Sequence, residues 1–314
     1  ERIGLLLIVW LGAICIGNLY GPFSQSLSQF KQKYFWKVVL VFFLVALLIG
    51  VPVAFQRVKN RGEAPPPRRN SGGGIFSSMV WTVHFGYDNN GGSNFDGAAD
   101  LIRGAGTPDV IGLLETDMAR PFMGNRDMIE YLEETFHYYY SDYGPATKTS
   151  SWGCGLLSRY PILSSRPINL PSPDGELACL VDVTVNIEGK EVDFLVTHFG
   201  VWETPLDRKL QAIAIAEMIE NEKKDKDVIF MGYITAPPYT HENYQKVLST
   251  GLIDSLPQGS DLARRWYATD RWCQYILYKG VEIVDFARKS VGHISDTEWQ
   301  KGIFRLPKRD KNKK

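Results

Sequence analysis

The chain has few cysteines, and their spacing excludes the common zinc-site patterns. Four cysteines occur in 314 residues. Cys15 lies in an apolar segment, and Cys154, Cys179 and Cys273 lie far apart in the rest of the chain. There is no Cys-x-x-Cys pair, which structural zinc sites usually contain. Three is an odd number, so we expect buried free thiols in this part rather than a disulfide scaffold.

The chain also lacks a net charge, but this neutrality hides a difference between segments. Residues 77–307 contain 21 Lys and Arg against 32 Asp and Glu, which gives a net charge of −11. A domain that binds nucleic acid usually presents a basic surface. The acidic balance therefore disfavours a nuclease, and we expect no nucleic-acid partner.

Two segments, 3–20 and 38–55, lack any charged residue. Each is about as long as the ~20 apolar residues that a membrane-spanning helix needs. A pair of buried core helices is the alternative, and a signal peptide fits poorly because a second apolar segment follows the first. We predict transmembrane helices at 1–22 and 35–56. Because the chain has no initiator Met, we expect them to be the C-terminal part of a multi-span region.

A basic segment rich in Pro and Gly follows the second predicted span, and we expect residues 57–78 to form a linker. Five Lys and Arg follow the span and three precede it. By a margin of two, this count favours a cytoplasmic position for the following domain. Basic residues beside a span also suit contact with anionic lipid headgroups. The domain itself is expected over 79–307, with a basic tail at 308–314.

Strand and helix patterns alternate through this domain. Helices are predicted at 95–104, 127–135 and 206–222, and strands at 79–85, 109–114, 155–158, 177–187, 192–197, 228–231, 275–278 and 283–286. Mixed strands with few helices predict an α+β fold, in which helices cover a two-sheet α/β sandwich.

Three polar residues follow apolar runs or lie in a late loop, where they could carry chemistry. Glu115 follows VIGLL, His198 follows FLVT, and Asp296 lies in HISDTEW. A carboxylate among apolar residues is costly unless it is paired or binds a cation, and Mg²⁺ often takes one such ligand. A histidine at a strand end can contact or protonate a phosphoryl group. The alternatives are a turn or cap residue for each acid and a core residue for the histidine.

Several motifs, in this order along the chain, resemble the endonuclease/exonuclease/phosphatase superfamily. They are His84-Phe85-Gly86, 108–115 (PDVIGLLE), 155–162 (GLLSRYPI), Thr197-His198-Phe199, 228–238 (VIFMGYITAPP) and Ser295-Asp296. More narrowly, the segments ETDMARPFMGNRD, THFG, VIFMGYITAPP and DRWCQYILYKG resemble the C-terminal domain of the cell wall biogenesis protein 43 / post-GPI-attachment factor 2-interacting protein family. The resemblance covers the chain from about 79 to 307.

The superfamily resemblance implies roles for three residues. Glu115 matches a metal-binding glutamate, His198 matches a phosphate-contacting histidine, and Asp296 matches the aspartate of a terminal Ser-Asp-His motif. Arg159 and Arg271 are candidate contacts for an anionic substrate, and each could equally be a surface or strand-end residue. The resemblance therefore predicts a Mg²⁺-dependent site that acts on a phosphodiester.

Four positions depart from the superfamily pattern. Thr82 replaces an asparagine, Tyr233 and Thr235 replace the polar pair of Gly-Asp-x-Asn, and Thr297 replaces the histidine that usually activates water. Neither Tyr233 nor Thr297 can act as that base near neutral pH without a shifted pKa. We expect Tyr233 to shape the substrate pocket.

The narrower resemblance implies remodelling of the lipid on glycosylphosphatidylinositol (GPI) anchors, with ceramide installed in fungal relatives. The predicted reaction is phospholipase C-like cleavage or exchange at the phosphodiester between inositol and lipid. A catalytically inactive module that binds the headgroup or a partner is the alternative. The expected partners are membrane lipid, GPI-anchored proteins and another GPI-processing membrane protein. The expected location is the endoplasmic reticulum or Golgi with the domain in the lumen, which we prefer to the result of the charge count.

Overall fold

A computed structural model provides the structure of this protein. It describes residues 29–60, 74–116, 127–146, 153–256, 259, 273–290 and 292–307, with side chains omitted at 29–35 and 53–60. The predicted span at 1–22, most of the linker, Arg271 and the basic tail lie outside these residues. The chain divides into two compact units, residues 1–65 and 66–314.

The first unit contains one described helix, α1 (Gln29–Asn60), which includes Pro52. The predicted span at 35–56 lies within it. Most of its described side chains are apolar and exposed, and Leu48 reaches 72%. Over the side chains that the structure describes, no helix is long and apolar enough to cross a membrane.

Within its described residues, the second unit contains two six-stranded mixed sheets. Sheet 1 has the order β11-β12-β1-β2-β4-β3. Its strands are β1 (Ile75–Thr82), β2 (Val110–Leu114), β3 (Tyr140–Asp142), β4 (Cys154–Ser158), β11 (Glu282–Lys289) and β12 (Trp299–Arg305). Strands β1 and β2 are parallel neighbours, whereas β4 runs antiparallel to β2. The C-terminal ends of β1 and β2 therefore lie side by side.

Sheet 2 has the order β5-β6-β7-β8-β10-β9. Its strands are β5 (Ile162–Asn169), β6 (Cys179–Ile187), β7 (Lys190–His198), β8 (Val228–Tyr233), β9 (Ile253–Asp254) and β10 (Gln274–Lys279). Strands β7 and β8 are parallel neighbours, and the other pairs are antiparallel. Each sheet thus has one central parallel pair, whose C-terminal ends can carry site residues.

The central strands are buried on both faces because alternate residues point into different hydrophobic clusters. In β1, Phe76 and Val80 point between the sheets, whereas Met79 and Trp81 pack under helices α2 (Phe95–Gly104) and α3 (Met128–Phe136). Helices α4 (Pro205–Glu222) and α5 (Glu242–Leu248) cover the outer face of sheet 2. The result is the predicted two-sheet α+β sandwich with a helical layer on each side.

The differences from the predicted elements have local causes. Strand β1 begins at Ile75, inside the segment expected to be linker. Strand β5 was not predicted, because it lies at a sheet edge and is half exposed, with Pro167 in its interior. Strand β12 was also missed, because polar residues and Gly302 interrupt its apolar pattern.

A buried cluster of ions fixes α4 to sheet 2. The ammonium of Lys223 lies 2.7 Å from Asp182 and 2.9 Å from Asp193, and all three residues are buried. Lys226 lies 3.4 Å from Asp193 and is half exposed. Because both acids lie next to cations, the cluster can tolerate burial.

The expectation of three free thiols is wrong for two of the cysteines. Cys154 and Cys179 form a disulfide with a Cα–Cα separation of 5.9 Å, and Cys273 is the one free cysteine among the described residues. An odd number of cysteines does not exclude one bond plus one buried thiol, and sequence spacing carries no information on which strands meet. The bond joins β4 of sheet 1 to β6 of sheet 2.

Candidate active site

Four strand ends meet at one edge of the sandwich. The central parallel pair of sheet 1 ends at Thr82 and just before Glu115, and that of sheet 2 ends at His198 and Tyr233. The two sheets touch here through side chains: Glu115 Oε1 lies 3.3 Å from His198 Nε2, and the Thr82 hydroxyl donates to the Tyr233 hydroxyl at 2.6 Å. This edge is the candidate site.

The backbone around Glu115 directs its side chain across to sheet 2. Glu115 has φ 57°, a left-handed conformation that is uncommon for a residue with a side chain. Its N–H donates to Gly153 O at 2.9 Å, and its carbonyl accepts the N–H of Phe85 at 3.1 Å. These two bonds hold the residue in that conformation, so the carboxylate, which is only 8% exposed, faces His198.

The contacts of His198 determine where protons can lie. Its Nδ1 is 2.6 Å from the carbonyl oxygen of Phe199, and a carbonyl can only accept, so Nδ1 carries a proton. Nε2 is then the ring nitrogen that faces the Glu115 carboxylate, at 3.3 Å from Oε1. An imidazole nitrogen beside a buried carboxylate is an arrangement that general acid–base catalysis uses.

A directed chain of hydroxyl groups leads from the core to Asp296. Thr297 donates to the carboxylate of Asp296 at 2.9 Å, because a carboxylate only accepts. Because the Thr297 hydroxyl uses its single proton in this bond, the Tyr233 hydroxyl donates to Thr297 across their 2.7 Å contact. Thr82 in turn donates to Tyr233. The chain thus runs from Thr82 through Tyr233 and Thr297 to Asp296.

This chain joins the three predicted site residues into one cluster. The Tyr233 ring lies 4.5 Å from the His198 ring, and His198 contacts Glu115. Asp296 is exposed at the end of the hydroxyl chain. The structure therefore brings Glu115, His198 and Asp296 to one edge, with Tyr233 between them; their roles stay predictions.

Burial keeps two groups in the cluster protonated to a higher pH than usual. Burial, reinforced by electrostatic interactions with Cys273 and Glu115, raises the pKa of Tyr233 well above its ordinary 10.0. Burial, with further contributions from Glu298 and Asp296, raises the pKa of Cys273 well above 9.0. Near neutral pH the phenol and the thiol keep their protons, so neither acts as a base or as an anionic nucleophile.

The two arginines predicted to contact an anionic substrate are not part of this cluster. Arg159 follows β4, which is antiparallel to β2, and its N–H bonds to Asp109 at the opposite end of the sheet from Glu115. Its guanidinium stacks on the Tyr138 ring. Arg271 lies outside the described residues.

Thr235, the remaining position that departs from the superfamily pattern, accepts a backbone hydrogen bond from a buried arginine. Its carbonyl accepts from Arg208 at 2.7 Å, and Arg208 also bonds to the Trp202 carbonyl at 3.0 Å and stacks over the Trp202 ring. Arg208 is 4% exposed and lies where the loops after β7 and β8 meet. Sequence reasoning missed it, because an arginine inside an amphipathic helix gives no sign that it bonds to loop carbonyls.

The side chains present do not fit a Mg²⁺ ion held by the protein alone. No group of three or more His, Cys, Asp or Glu side chains that could bind a metal occurs within the described part of the chain. Glu115 supplies one carboxylate, which already faces His198. Thr82, Tyr233 and Thr297 direct their hydroxyls at one another. Because Mg²⁺ usually takes one or two protein carboxylates and keeps several waters, Glu115 supplies only part of a ligand set, and the other ligands would have to come from water or substrate.

Solved structures support the same fold. An endonuclease/exonuclease/phosphatase from Beutenbergia cavernae DSM 12333 is 18% identical, with a TM-score of 0.58 over 74% of this chain and 72% of that one. A humanized D. rerio TDP2 is 18% identical, with a TM-score of 0.55 over 74% of this chain and all of that one. SmcL is 16% identical, with a TM-score of 0.53 over 73% of this chain and 99% of that one. At these identities the likeness shows the fold alone.

Sequence comparison identifies the family. Protein cwh43 of Schizosaccharomyces pombe is 34% identical over 285 residues, which cover 91% of this chain. The matched part spans 28% of that relative's length. The family described as PGAP2IP, C-terminal nuclease-like domain, matches residues 73–314. The chain belongs to this PGAP2IP C-terminal nuclease-like domain family.

Proposed function

We propose that this domain remodels the lipid of GPI anchors by phospholipase C-like cleavage or exchange at the phosphodiester that links inositol to its lipid. Family membership and the relationship to Protein cwh43 support the biological setting. The observation that carries the chemical proposal is the buried contact between Glu115 and His198, next to the hydroxyl chain that ends at Asp296.

The Glu115–His198 pair would supply the proton for the leaving group. With the proton on Nε2, His198 is an imidazolium that can bind a phosphoryl oxygen or protonate the oxygen of the departing lipid alcohol. The phosphorus–oxygen bond to that alcohol breaks, and the proton passes from Nε2 to the alcohol oxygen. Before this transfer, the carboxylate of Glu115 stabilises the imidazolium and, through the same contact, orients the His198 ring.

Asp296 would act on the attacking group. It is the exposed carboxylate of the cluster and can accept the proton of an incoming hydroxyl while the new phosphorus–oxygen bond forms. A ceramide hydroxyl as nucleophile gives lipid exchange, and water gives hydrolysis. In both cases one bond to phosphorus replaces another, and one proton enters at Asp296 while another leaves from His198.

The hydrogen bonds within the hydroxyl chain favour a second function. Thr82, Tyr233 and Thr297 bond to one another rather than present free groups to a substrate. A domain with this site could bind an inositol phosphate headgroup, or escort another GPI-processing membrane protein, without chemistry of its own.

Membrane attachment and a lumenal position are part of the proposal. The charge-free run at 38–55 and the exposed apolar side chains of α1 support insertion of residues 35–56 into a bilayer. The Cys154–Cys179 bond supports an oxidising compartment, because disulfides rarely persist in the cytosol. Membrane lipid and GPI-anchored proteins of the endoplasmic reticulum or Golgi would then be the substrates.

The test is complementation with conservative variants in cells that lack the native gene. Full-length proteins carrying His198→Gln or Asp296→Asn are expressed, their folding is checked, and the lipid on GPI-anchored proteins is determined by mass spectrometry. We expect both variants to fail to restore the normal anchor lipid. Asp225→Asn is the matched control, because it changes an exposed acid at the opposite end of β8.

The outcomes separate the two functions. If both site variants fold and restore the anchor lipid, the catalytic assignment is wrong and the binding module is favoured. Adding EDTA to a purified lipid-cleavage assay tests the metal expectation. A strict requirement for Mg²⁺, together with a higher Mg²⁺ concentration needed for activity in Glu115→Gln, would identify Glu115 as a ligand, against the donor set described above.

A further inference from the structure

The Cys154–Cys179 disulfide lies at the same end of the sandwich as the candidate site. Cys154 is the first residue of β4 in sheet 1, and Cys179 is the first residue of β6 in sheet 2. Both side chains are completely buried. Within the described residues, the bond is the one covalent cross-link between side chains of the two sheets.

On the side of sheet 1, the disulfide is one residue away from the support of Glu115. Cys154 pairs with Leu114 in the register of β2 and β4, and Leu114 directly precedes Glu115. Gly153, the neighbour of Cys154, accepts the Glu115 N–H at 2.9 Å. A displacement of Cys154 therefore moves a backbone group that holds Glu115 in its left-handed conformation.

On the side of sheet 2, the disulfide is equally close to His198. The carbonyl of Cys179 accepts the hydroxyl of Thr197 at 2.8 Å, and Thr197 directly precedes His198. The neighbouring residue, Leu180, pairs with Thr197 in the register of β6 and β7. The bond thus joins the two strands that flank the two members of the pair.

The contact between the pair is sensitive to the separation of the sheets. Glu115 belongs to sheet 1 and His198 to sheet 2, and their 3.3 Å contact is already long for a hydrogen bond. An increase of about 0.3 Å would take it to a length at which no hydrogen bond remains. A covalent link one residue away on each side limits such an increase.

We propose that the Cys154–Cys179 disulfide positions Glu115 against His198, so that the contact between these two side chains forms only in the oxidised protein. Its catalytic consequence rests on the proposed function, whereas the geometric claim does not. The two cysteines are then positioning residues. A domain that depends on them would work in an oxidising compartment and lose its pair in a reducing one.

The geometric claim can be tested by NMR on the full chain in detergent, labelled with ¹⁵N at its five histidines. His198→Gln identifies the His198 signals, and Glu115→Gln shows their shifts when the pair is broken. In Cys154→Ala/Cys179→Ala we expect the His198 signals to move towards those of Glu115→Gln, with the other histidines unchanged. A folded double variant whose His198 signals match the wild type would overturn the proposal.

A second measurement covers the case in which the double variant does not fold. The wild-type protein is reduced with a phosphine under native conditions, and alkylation followed by mass spectrometry measures how much of the bond has opened. The His198 shift should grow in proportion to the reduced fraction. Full reduction without a shift contradicts the proposal as directly as the first outcome does.

An activity measurement links this geometry to the proposed function. In the complementation assay, Cys154→Ala and Cys179→Ala should each lower the rate of lipid remodelling about a hundredfold, as expected for a misplaced acid group. Cys15→Ala is the matched cysteine control. If His198→Gln also leaves the anchor lipid normal, the proposed function fails while the NMR result stands. If only His198→Gln is inactive, the positioning role is wrong.

Discussion

The substitution Tyr233→Phe tests the hydroxyl chain, because it removes one oxygen and leaves the ring in place. Tyr233 accepts a hydrogen bond from Thr82 at 2.6 Å and donates one to Thr297 at 2.7 Å. Thr82 is completely buried, so water cannot replace the lost acceptor. Thr297 is partly exposed, and water can replace its lost donor.

The expected loss follows from that difference. A buried hydroxyl left without a partner costs about 1–3 kcal/mol, whereas the exposed side of the chain costs less than about 1 kcal/mol. We therefore expect Tyr233→Phe to lower the free energy of unfolding by about 2 kcal/mol. For a domain of this size that corresponds to a fall in Tm of roughly 4–8 °C.

A double-mutant cycle with Thr82→Val separates this cause from a general loss of packing. Valine has nearly the shape of threonine and no hydroxyl, so the double variant leaves no unpaired group at position 82. Adding Thr82→Val to Tyr233→Phe should therefore cause almost no further loss in the free energy of unfolding. We expect a coupling of about 1 kcal/mol or more between the two sites.

Denaturant unfolding of the four proteins, followed by tryptophan fluorescence, measures this coupling. Tyr139→Phe serves as the control, because that tyrosine is 39% exposed and a surface change should stay within about 0.5 kcal/mol. Effects of Tyr233→Phe and Thr82→Val that add within about 0.5 kcal/mol would refute the coupled chain.

Three further predictions concern stability. In Gly232→Ala the new Cβ would overlap the carbonyl oxygen of Thr197 and lie 2.9 Å from its carbon, so thermal melts should show a loss of more than about 3 kcal/mol. Lys223→Met leaves two buried carboxylates short of a cation and should cost about 3–5 kcal/mol in urea unfolding, whereas Lys226→Met, at a half-exposed lysine, should cost less than about 1 kcal/mol. Burial raises the pKa of Asp193, but hydrogen bonds and positive charges from its neighbours together lower it by more. The pKa of Asp193 therefore lies below its ordinary 3.8. Because the pKa of Asp193 is lower in the folded than in the unfolded protein, its ionised form stabilises the fold. This contribution is present above about pH 4 and is lost as the pH falls through the folded pKa. Urea unfolding at pH 5 and pH 3 should show that loss, and it should be smaller in Asp193→Asn.

The fold could be predicted from the sequence because its central strands have a clear periodic signal. Apolar runs such as 228–231 and 192–197 are buried on both faces, and the amphipathic helices at 95–104 and 206–222 were predicted within one residue of the observed bounds. The edge strand β5 lacks this signal because only one of its faces meets the core.

The site was predictable in part, for a reason that lies in strand direction. Glu115 directly follows one strand of a central parallel pair and His198 is the last residue of another, so both lie at one end of the sandwich. Arg159 also follows a strand, but that strand is antiparallel, and the residue lies at the other end. Sequence patterns show where a strand ends but not which way it runs. The disulfide and the hydroxyl chain depend on contacts between strands that are distant in sequence, so neither could be inferred.

The hydroxyl chain changes how the departures from the superfamily pattern are understood. Thr82, Tyr233 and Thr297 form one unit in which each hydroxyl satisfies the next, so these positions are not isolated losses. The high pKa of Tyr233 keeps the middle of this unit uncharged. Burying an additional carboxylate there, near Glu115, would carry a large desolvation and repulsion cost.

This absence of charge at position 233 matters for the proposed phosphodiester substrate. Residues 77–307 carry a net charge of −11, and a phosphodiester carries one negative charge of its own. With a phenol at position 233 in place of a carboxylate, the acids of this cluster are Glu115, which faces His198, and the exposed Asp296. Repulsion between like charges falls with each carboxylate removed, and it is strongest where burial lowers the local dielectric. An edge built from hydroxyls and one imidazole therefore suits an anionic headgroup better than a cluster of acids would, if no metal ion is present to balance them.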